Sequence, residues 1–576
     1  MAKITYISGP IVKAELEGES PKLLEVAFVG EDKLIGEVVA IQENTITIQV
    51  YETTDGLKLK EPVKLSGEML KAVLAPGLLG SIYDGIERPL EKLGERIERG
   101  KSVFPVSKDK RWHFVPLKRK GEKINEGEIF GYVTEGNIKH FLTAPLGIKG
   151  TIDAIEEGGE YTVEEELLTL DSGQTLTMVQ EWPVRFPRKF RKRLNPDIPL
   201  ITGQRIIDFL FPIAKGGTAS IPGGFGTGKT ILQQTLAKWC DADIIVYIGC
   251  GERGNEMTEV LEEFPELEDP RTGKKLIERT ILIANTSNMP VSAREASIYL
   301  GITIAEYFRD MGYHVALMAD STSRWAEAMR ELSTRMGELP IEEGFPAYLS
   351  SRIAGVYERA GFVETLSGSV GSLTIIGAVS PPGGDFSEPV TRHTRRFTSV
   401  FWALDKELAN ARFYPAINYT QSYSAYGGTV RKWWEEIYRN WYELRSWMMK
   451  LLQEDDKLQR IVKLLGSEAL PEEQKLIVEI SHFIKEVFLQ QNAFDPIDAY
   501  CPPERQIKIA EILKTLYQWW EACLKEKGIP IKILKEQKVV EEILRLRFVE
   551  KIPENIIEKI EETYKNLLKS YSEWEK

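Results

Sequence analysis

Hydrophobic and polar positions divide the chain into stretches of different rhythm. Over residues 1–70 the apolar positions fall in short runs broken by turns: KITYISGPIVKAEL, LLEVAFVG, KLIGEVVAIQ, NTITIQVYE and EPVKLSG. β-Branched and aromatic residues dominate these runs, and Thr45-Ile-Thr-Ile-Gln-Val50 alternates polar with apolar, as a half-buried strand does. Short strands at this spacing predict a small N-terminal β-barrel. Residues 71–109 connect onward, and LAPGLLGSIYDGIERPLEKL (74–93) leads toward a helix. Over 110–190 the runs GEIFGYVTEG, HFLTAPLGIKGTIDAI, GEYTVEEELLTL and QTLTMVQEWPV predict an inserted β-rich module. Over 191–430, IIVYI (244–248), TILIAN (280–285), VALMAD (315–320) and LTIIGAVS (373–380) alternate with helical segments. That alternation predicts an α/β domain with a mainly parallel sheet. From 431 to 576 the apolar period becomes 3.6, which predicts a C-terminal helical domain whose many Trp residues fill core or subunit contacts.

Composition narrows the class without naming a function. A chain of 576 residues, 43% hydrophobic and 28% charged, is long enough for several globular domains. The formal net charge of −12 argues against a large phosphate-neutralising surface, so no nucleic-acid partner is expected. The basic run RFPRKFRKR (185–193) stands alone in this acidic chain and reads as a solvated or subunit-facing segment. None of Cys240, Cys250, Cys501 and Cys523 forms a C-x-x-C pair, so neither a zinc ribbon nor a dithiol motif is expected. His113 and His140 are isolated and read as packing or surface residues. The N-terminus has no apolar leader core, and no run of about 18 apolar residues occurs. A cytoplasmic protein is expected, reaching a membrane only through partners.

Against this background one stretch carries specific chemistry. Gly223-Gly-Phe-Gly-Thr-Gly-Lys-Thr230 fits G-x-x-x-x-G-K-[ST], the phosphate-binding P-loop. Its four glycines allow positive φ and close approach of the backbone to a ligand. Successive N–H groups then face inward, and the helix predicted from Ile231 aims its positive end at the same point. Lys229 supplies a mobile cation for the β- and γ-phosphates, and the Thr230 hydroxyl is a Mg²⁺ ligand.

Two further motifs follow in the same α/β stretch. Gly249-Cys-Gly-Glu-Arg-Gly254 closes the strand IIVYI and also spells G-x-G-x-x-G, the dinucleotide fingerprint. The next strand ends in Asn285, however, where that fingerprint needs an acid for the ribose. At the carboxyl end of a parallel strand near a P-loop, Glu252 is placed to polarise the water that attacks a γ-phosphate, with Arg253 beside it. The run Val315-Ala-Leu-Met-Ala-Asp320 is an apolar strand ending in a carboxylate, suited to hold a Mg²⁺ water or Thr230. Arg324 lies about one helical turn further on.

With these pieces assembled, the sequence resembles the catalytic A subunits of V-type and A-type rotary ATPases. The resemblance runs through GGFGTGKT (223–230), GCGERGNEM (249–257), ALMADSTSRWAEA (316–328) and PAINYTQSYS (415–424), and covers nearly the whole chain. It implies a multidomain α+β protein: an N-terminal β-barrel, an inserted β-rich module, a RecA-like P-loop α/β nucleotide-binding domain and a C-terminal helical domain. It also implies nucleotide binding by Gly223, Gly224, Phe225, Gly226, Thr227, Gly228, Lys229, Thr230 and Ile231. By the same resemblance Tyr414 and Phe494 flank the adenine; read as bare residues, either could equally be core packing. Lys229, Glu252, Arg253, Asp320 and Arg324 are the implied catalytic set, with Mg²⁺ held by Thr230 and, through water, Asp320. The implied assembly alternates A subunits with non-catalytic B subunits that supply an arginine finger. A central rotor stalk, a peripheral stalk and a membrane sector moving H⁺ or Na⁺ complete it, at the cytoplasmic face of the membrane. Eukaryotic members carry a regulatory cysteine inside the P-loop, where this chain has Thr227. The alternative is a homohexameric export-type ATPase; the module at 110–190 and the long helical tail argue against it. A Rho-like helicase is disfavoured by charge. A non-hydrolytic nucleotide sensor is disfavoured by the joint presence of Lys229, Glu252 and Asp320.

Overall fold

The computed structural model describes residues 2–92 and 99–574. Six antiparallel strands close the N-terminal barrel: β1 (Ala2–Ser8), β2 (Ile11–Glu15), β3 (Glu25–Val29), β4 (Leu34–Gln42), β5 (Thr45–Val50) and β6 (Pro62–Met69). They follow the order β1-β2-β5-β4-β3-β6, and closure leaves no free sheet edge. Ile4, Val12, Ala27, Leu34, Val38 and Ile48 fill the interior. β5 differs from its half-buried expectation, because Thr47 and Gln49 are covered as well. Gln49 lies opposite Glu37 of β4, where Arg185 closes over the outside of the barrel. Of the helix foreseen beyond residue 74, a 3₁₀ turn at Leu90–Lys92 is seen; residues 93–98, on which the rest of that expectation falls, lie outside the described residues.

The inserted module is built from two four-stranded sheets. Its return strand, Gln180–Pro183, pairs with Lys71–Leu74 and so brings the chain back beside its point of departure. The two histidines behave as expected of packing and surface residues. His140 is buried between Glu135 (2.6 Å) and the Tyr307 hydroxyl (2.8 Å), whereas His113 is exposed beside Glu160.

The chain forms two compact units, one of residues 1–195, 215–220 and 242–398, the other of residues 196–214, 221–241 and 399–576. The first holds the barrel, the inserted module and a mainly parallel sheet. In that sheet the strands run in the order Thr218–Pro222, Val370–Val379, His314–Asp320, Ile244–Cys250, Thr280–Asn285 and Ile82–Tyr83. The division between units falls within the first of these strands, after Ser220. The central strands are buried along almost their whole length, as expected of a sheet covered on both faces. Four helices matter below: α1 (Lys229–Trp239), α2 (Gly254–Glu266), α3 (Val291–Asp310) and α4 (Thr322–Met336).

The second unit combines α1 with the helical C-terminus. Its longest helices, Trp441–Leu465 and Pro503–Lys527, are joined by Glu472–Phe483 and Ile556–Trp574. Trp434 and Trp441 stack face to face at 5.2 Å, with Phe209 edge-on to both. Trp520 packs against Phe483 and Tyr564. These tryptophans are core residues. All four cysteines are buried and reduced.

The basic segment departs from its sequence reading. Arg191 and Arg193 are exposed, but Arg185 and Arg188 point inward. Arg185 donates to Glu37 (2.8 Å) and to both oxygens of Glu295 on α3 (2.7 Å each). Burial alone would raise the Glu295 pKa, but the Arg185 charge and its hydrogen bonds reverse this and hold the carboxyl below its ordinary range. A run of like charges in sequence is thus divided by acids distant in the chain. Arg185→Met leaves two buried carboxylates without their shared cation, and should destabilise the chain by about 3–5 kcal/mol. Urea unfolding of the two proteins checks this. A loss under about 1 kcal/mol would mean that the Arg185 pairing adds no net stability beyond that of a surface ion pair.

Candidate active site

The P-loop follows directly on the strand Thr218–Pro222, and α1 begins at its lysine. Positive φ falls at Gly226 (76°) and Gly228 (86°), so two of the four glycines serve the turn conformationally. Gly223 serves by size instead: a Cβ there would lie 2.6 Å from the Thr227 hydroxyl and 2.8 Å from Leu404. Thr227 is buried and its hydroxyl donates to Gly224 O (2.8 Å), bracing the turn. The Lys229 ammonium donates to Gly223 O (2.8 Å) and Gly224 O (2.9 Å). Phe225 is 79% exposed at the tip, Ile231 is exposed on the first turn of α1, and Thr230 is half-buried. A run of backbone N–H groups at a helix N-terminus, with an ammonium, is a receptor for phosphate.

Tyr414 stands against the same loop. Its ring comes within 3.6 Å of the Cβ position of Gly228, and it is 43% exposed. Phe494 is 82% exposed on a loop held by Asn492, whose Oδ1 accepts from the Phe494 N–H. Gln491, three residues before it, donates its backbone N–H to Tyr414 O (2.8 Å). Both aromatics therefore belong to the unit that carries the P-loop, and the stretches bearing them are tied together.

The other predicted residues meet in the first unit. The parallel register pairs Gly249 with Asp320, so Glu252 and Asp320 leave neighbouring strands at the same edge of the sheet. Gly249 and Gly251 leave no room for a side chain: a Cβ on Gly251 would lie 2.7 Å from Arg324 Cβ and 2.8 Å from Arg294. The loop is pinned by Gly251 N to Asn285 O (2.6 Å) and Ser287 N to Glu252 O (2.9 Å). Arg324 is half-exposed on α4 and pairs with Glu327 (2.8 Å), while Arg253 is exposed at the loop's rim.

Electrostatically, Glu252 is the outlying group. Burial first, then the charges of Asp320 and Glu256, push its carboxyl up to about 8, opposed by a hydrogen bond from Ser321. Tyr247 is buried with its hydroxyl 3.4 Å from Asp320 Oδ2, and burial together with that carboxylate raises its pKa far above the usual phenol. Sequence reasoning missed Tyr247, Glu256 and Ser321. The available signals were a single hydroxyl in the aliphatic strand Ile-Ile-Val-Tyr-Ile and a carboxylate four residues after Glu252. Among the described residues no three His, Cys, Asp or Glu side chains form a metal cage. Thr230 in one unit offers a hydroxyl and Asp320 in the other a carboxylate, each a hard oxygen donor of the kind Mg²⁺ takes.

Such a constellation defines a class: P-loop nucleotide-binding proteins that combine a barrel, an α/β core and a helical C-terminus. The comparisons agree with that class in each region. Residues 203–424 match the family model for the nucleotide-binding domain of the ATP synthase alpha/beta family, and 4–67 match its β-barrel domain. Residues 103–185 match the barrel-sandwich domain of the alpha/beta subunits, and 431–529 the C-terminal domain of V and A type ATP synthases. The chain is 54% identical to the A subunit of the A-type ATP synthase of Methanopyrus kandleri over 99% of both chains. It is 50% identical to V-type ATP synthase alpha chain 2 of Clostridium tetani, covering 99% of this chain and 98% of that one. The chain belongs to the family of A subunits of the A-type and V-type ATP synthases, and is a catalytic subunit of a rotary, ion-transporting ATPase. A solved structure of the type III secretion ATPase EscN from enteropathogenic E. coli shares the fold, with a TM-score of 0.63 at 23% identity. It covers 89% of this chain and all of that one. No described helix is long and apolar enough to cross a membrane.

The raised pKa of Glu252 has a consequence for stability. Its carboxyl ionises near 4.5 when exposed and near 8 in the fold, so between those values the folded chain holds a proton the unfolded chain lacks. Its contribution to stability is therefore complete below about pH 4.5 and lost as pH rises through about 8. Glu252→Gln should raise the melting temperature more at pH 9 than at pH 5. Equal shifts at both pH values would place the ionisation elsewhere.

Proposed function

We propose that this chain hydrolyses and forms the β–γ bond of ATP, with Glu252 as the group that orients and deprotonates the attacking water. The observation that supports this reading is the Gly249–Asp320 register: it puts Glu252 beside the strand-end Asp320, where burial and like charge raise its proton affinity to that of a group able to exchange a proton near neutral pH. The P-loop amides from Gly223 to Thr230 would wrap the phosphates, and the Lys229 ammonium would exchange its loop carbonyls for β- and γ-oxygens. The Thr230 hydroxyl and, through water, Asp320 would hold Mg²⁺, which when bound neutralises charge on the bridging phosphate oxygens. Tyr247 would keep the Asp320 carboxylate oriented. Arg253 and Arg324 would respond to charge developing near Glu252, and Tyr414 and Phe494 would flank the adenine.

Family membership supports a reading of the partners as well. The chain would alternate with a non-catalytic B subunit in a hexameric ring, with B completing the site by an arginine finger worth roughly 10³–10⁵ in rate. The helical C-terminus would bear on a central stalk, with a peripheral stalk restraining the ring. Ion transport would proceed in a separate membrane sector at whose cytoplasmic face this chain sits. H⁺ or Na⁺ selection belongs to that sector.

The test is phosphate release from Mg·ATP by the purified chain, alone and with its B partner, for wild type and Glu252→Gln. Activation by B of at least about 10³-fold is expected, with loss in the mutant while nucleotide still binds. Full activity from the chain alone would overturn the shared-site reading in favour of a homohexameric enzyme.

A further inference from the structure

We propose that Arg205 and Gln491 are positioning residues for base recognition, setting how firmly the chain grips the adenine without touching it. The inference rests on the reading of Tyr414 and Phe494 as the walls of the base site. Those walls present a physical problem. Both rings are substantially exposed, and Phe494 sits on a loop with little apolar packing of its own. An aromatic platform on a loose loop binds poorly, because each binding event must first order it.

The structure supplies a buried frame beneath them. Arg205 is fully buried; its Nε donates to Phe488 O (2.7 Å) and its Nη2 to Gln490 O (2.6 Å). The same Nη2 lies 2.8 Å from Asp498 Oδ1, an ion pair between two fully buried groups. Asp498 Oδ2 in turn accepts from Asn492 N (2.8 Å), and Asn492 Oδ1 from Phe494 N (3.0 Å). Gln491 is the second strut. Its Oε1 accepts from Arg205 N (2.9 Å), its Nε2 donates to Gly203 O (2.8 Å), and its backbone N–H donates to Tyr414 O. Nearly every bond in this frame ends on a main-chain atom. It fixes where the backbone of 488–498 runs, which decides where Phe494 stands relative to Tyr414.

The frame reaches the P-loop from two directions. Tyr414 touches the position of Gly228 at the start of α1. At the other end of α1, Trp239 stacks on Tyr500 at 5.2 Å, and Tyr500 lies hard against Gly203, whose carbonyl Gln491 holds. A guanidinium is required at 205, because a lysine keeps the charge but cannot span two carbonyls and a carboxylate with one rigid fork.

The experiment separates base from phosphate recognition in the full chain. Binding of ATP and of inorganic tripolyphosphate, which offers the P-loop a chain of phosphates without a base, is measured for wild type, Arg205→Lys, Gln491→Leu and Phe494→Ala. Melting temperatures confirm that each variant is folded. The expected result is an ATP affinity about tenfold weaker in all three variants, with tripolyphosphate changed by less than about twofold. Equal weakening of both ligands in Arg205→Lys and Gln491→Leu would overturn the proposal, because the frame would then serve the fold at large. Unchanged ATP binding in those two, with Phe494→Ala impaired, would overturn it while leaving the base walls intact. Unchanged ATP binding in Phe494→Ala would remove the base-wall reading itself, and the proposal with it.

Discussion

Charge taken out of water must find opposite charge nearby, and much of this chain is arranged around that requirement. Arg88 leaves solvent beside Asp84 and Glu52, Arg185 beside Glu37 and Glu295, Arg359 beside Glu306, and Arg205 beside Asp498. Most of these pairings join segments far apart in sequence, so the pairs fix register between modules that hydrophobic contact alone would leave free to slide. Glu252 breaks the pattern. The charges acting on it most strongly are the carboxylates Asp320 and Glu256, and the fold holds it there with backbone bonds to the loop around it. An acid so placed has its proton affinity raised to the range in which a group gives up and takes back a proton near neutral pH.

The glycines show the same economy at the level of backbone. Gly228 is needed for its left-handed turn, Gly223 and Gly251 for the space a side chain would fill. One residue type thus answers two separate demands. The P-loop and the Glu252 loop are shaped by absence of side chains as much as by the chemistry of those present.

Much of this was legible in the chain. The strand read as TILIAN is the observed Thr280–Asn285, and VALMAD is extended by one residue, His314, to give the observed strand. Continuous apolar runs bounded by polar turns leave little freedom in such places. The barrel, the helical C-terminus and the family were equally plain. What the sequence concealed were interactions of long range. Arg185 reaches Glu295 across 110 residues and Glu37 across 148, and Arg205 meets Gln491 across 286. No local periodicity encodes such a partner. Tyr247 was hidden for the opposite reason: in a buried strand an aromatic looks like core, and only the third dimension brings its hydroxyl to Asp320.

The burial of all four cysteines bears on how such a motor can be watched at work. Thiol reagents act on exposed thiolates, so the native surface offers them nothing among the described residues. A cysteine introduced at an exposed position such as Leu464, near the end of the long helix Trp441–Leu465, would then be a unique chemical handle. Fluorophores, spin labels or cross-linkers could be attached there without first rebuilding the interior, and the motion of the helical tip followed one molecule at a time.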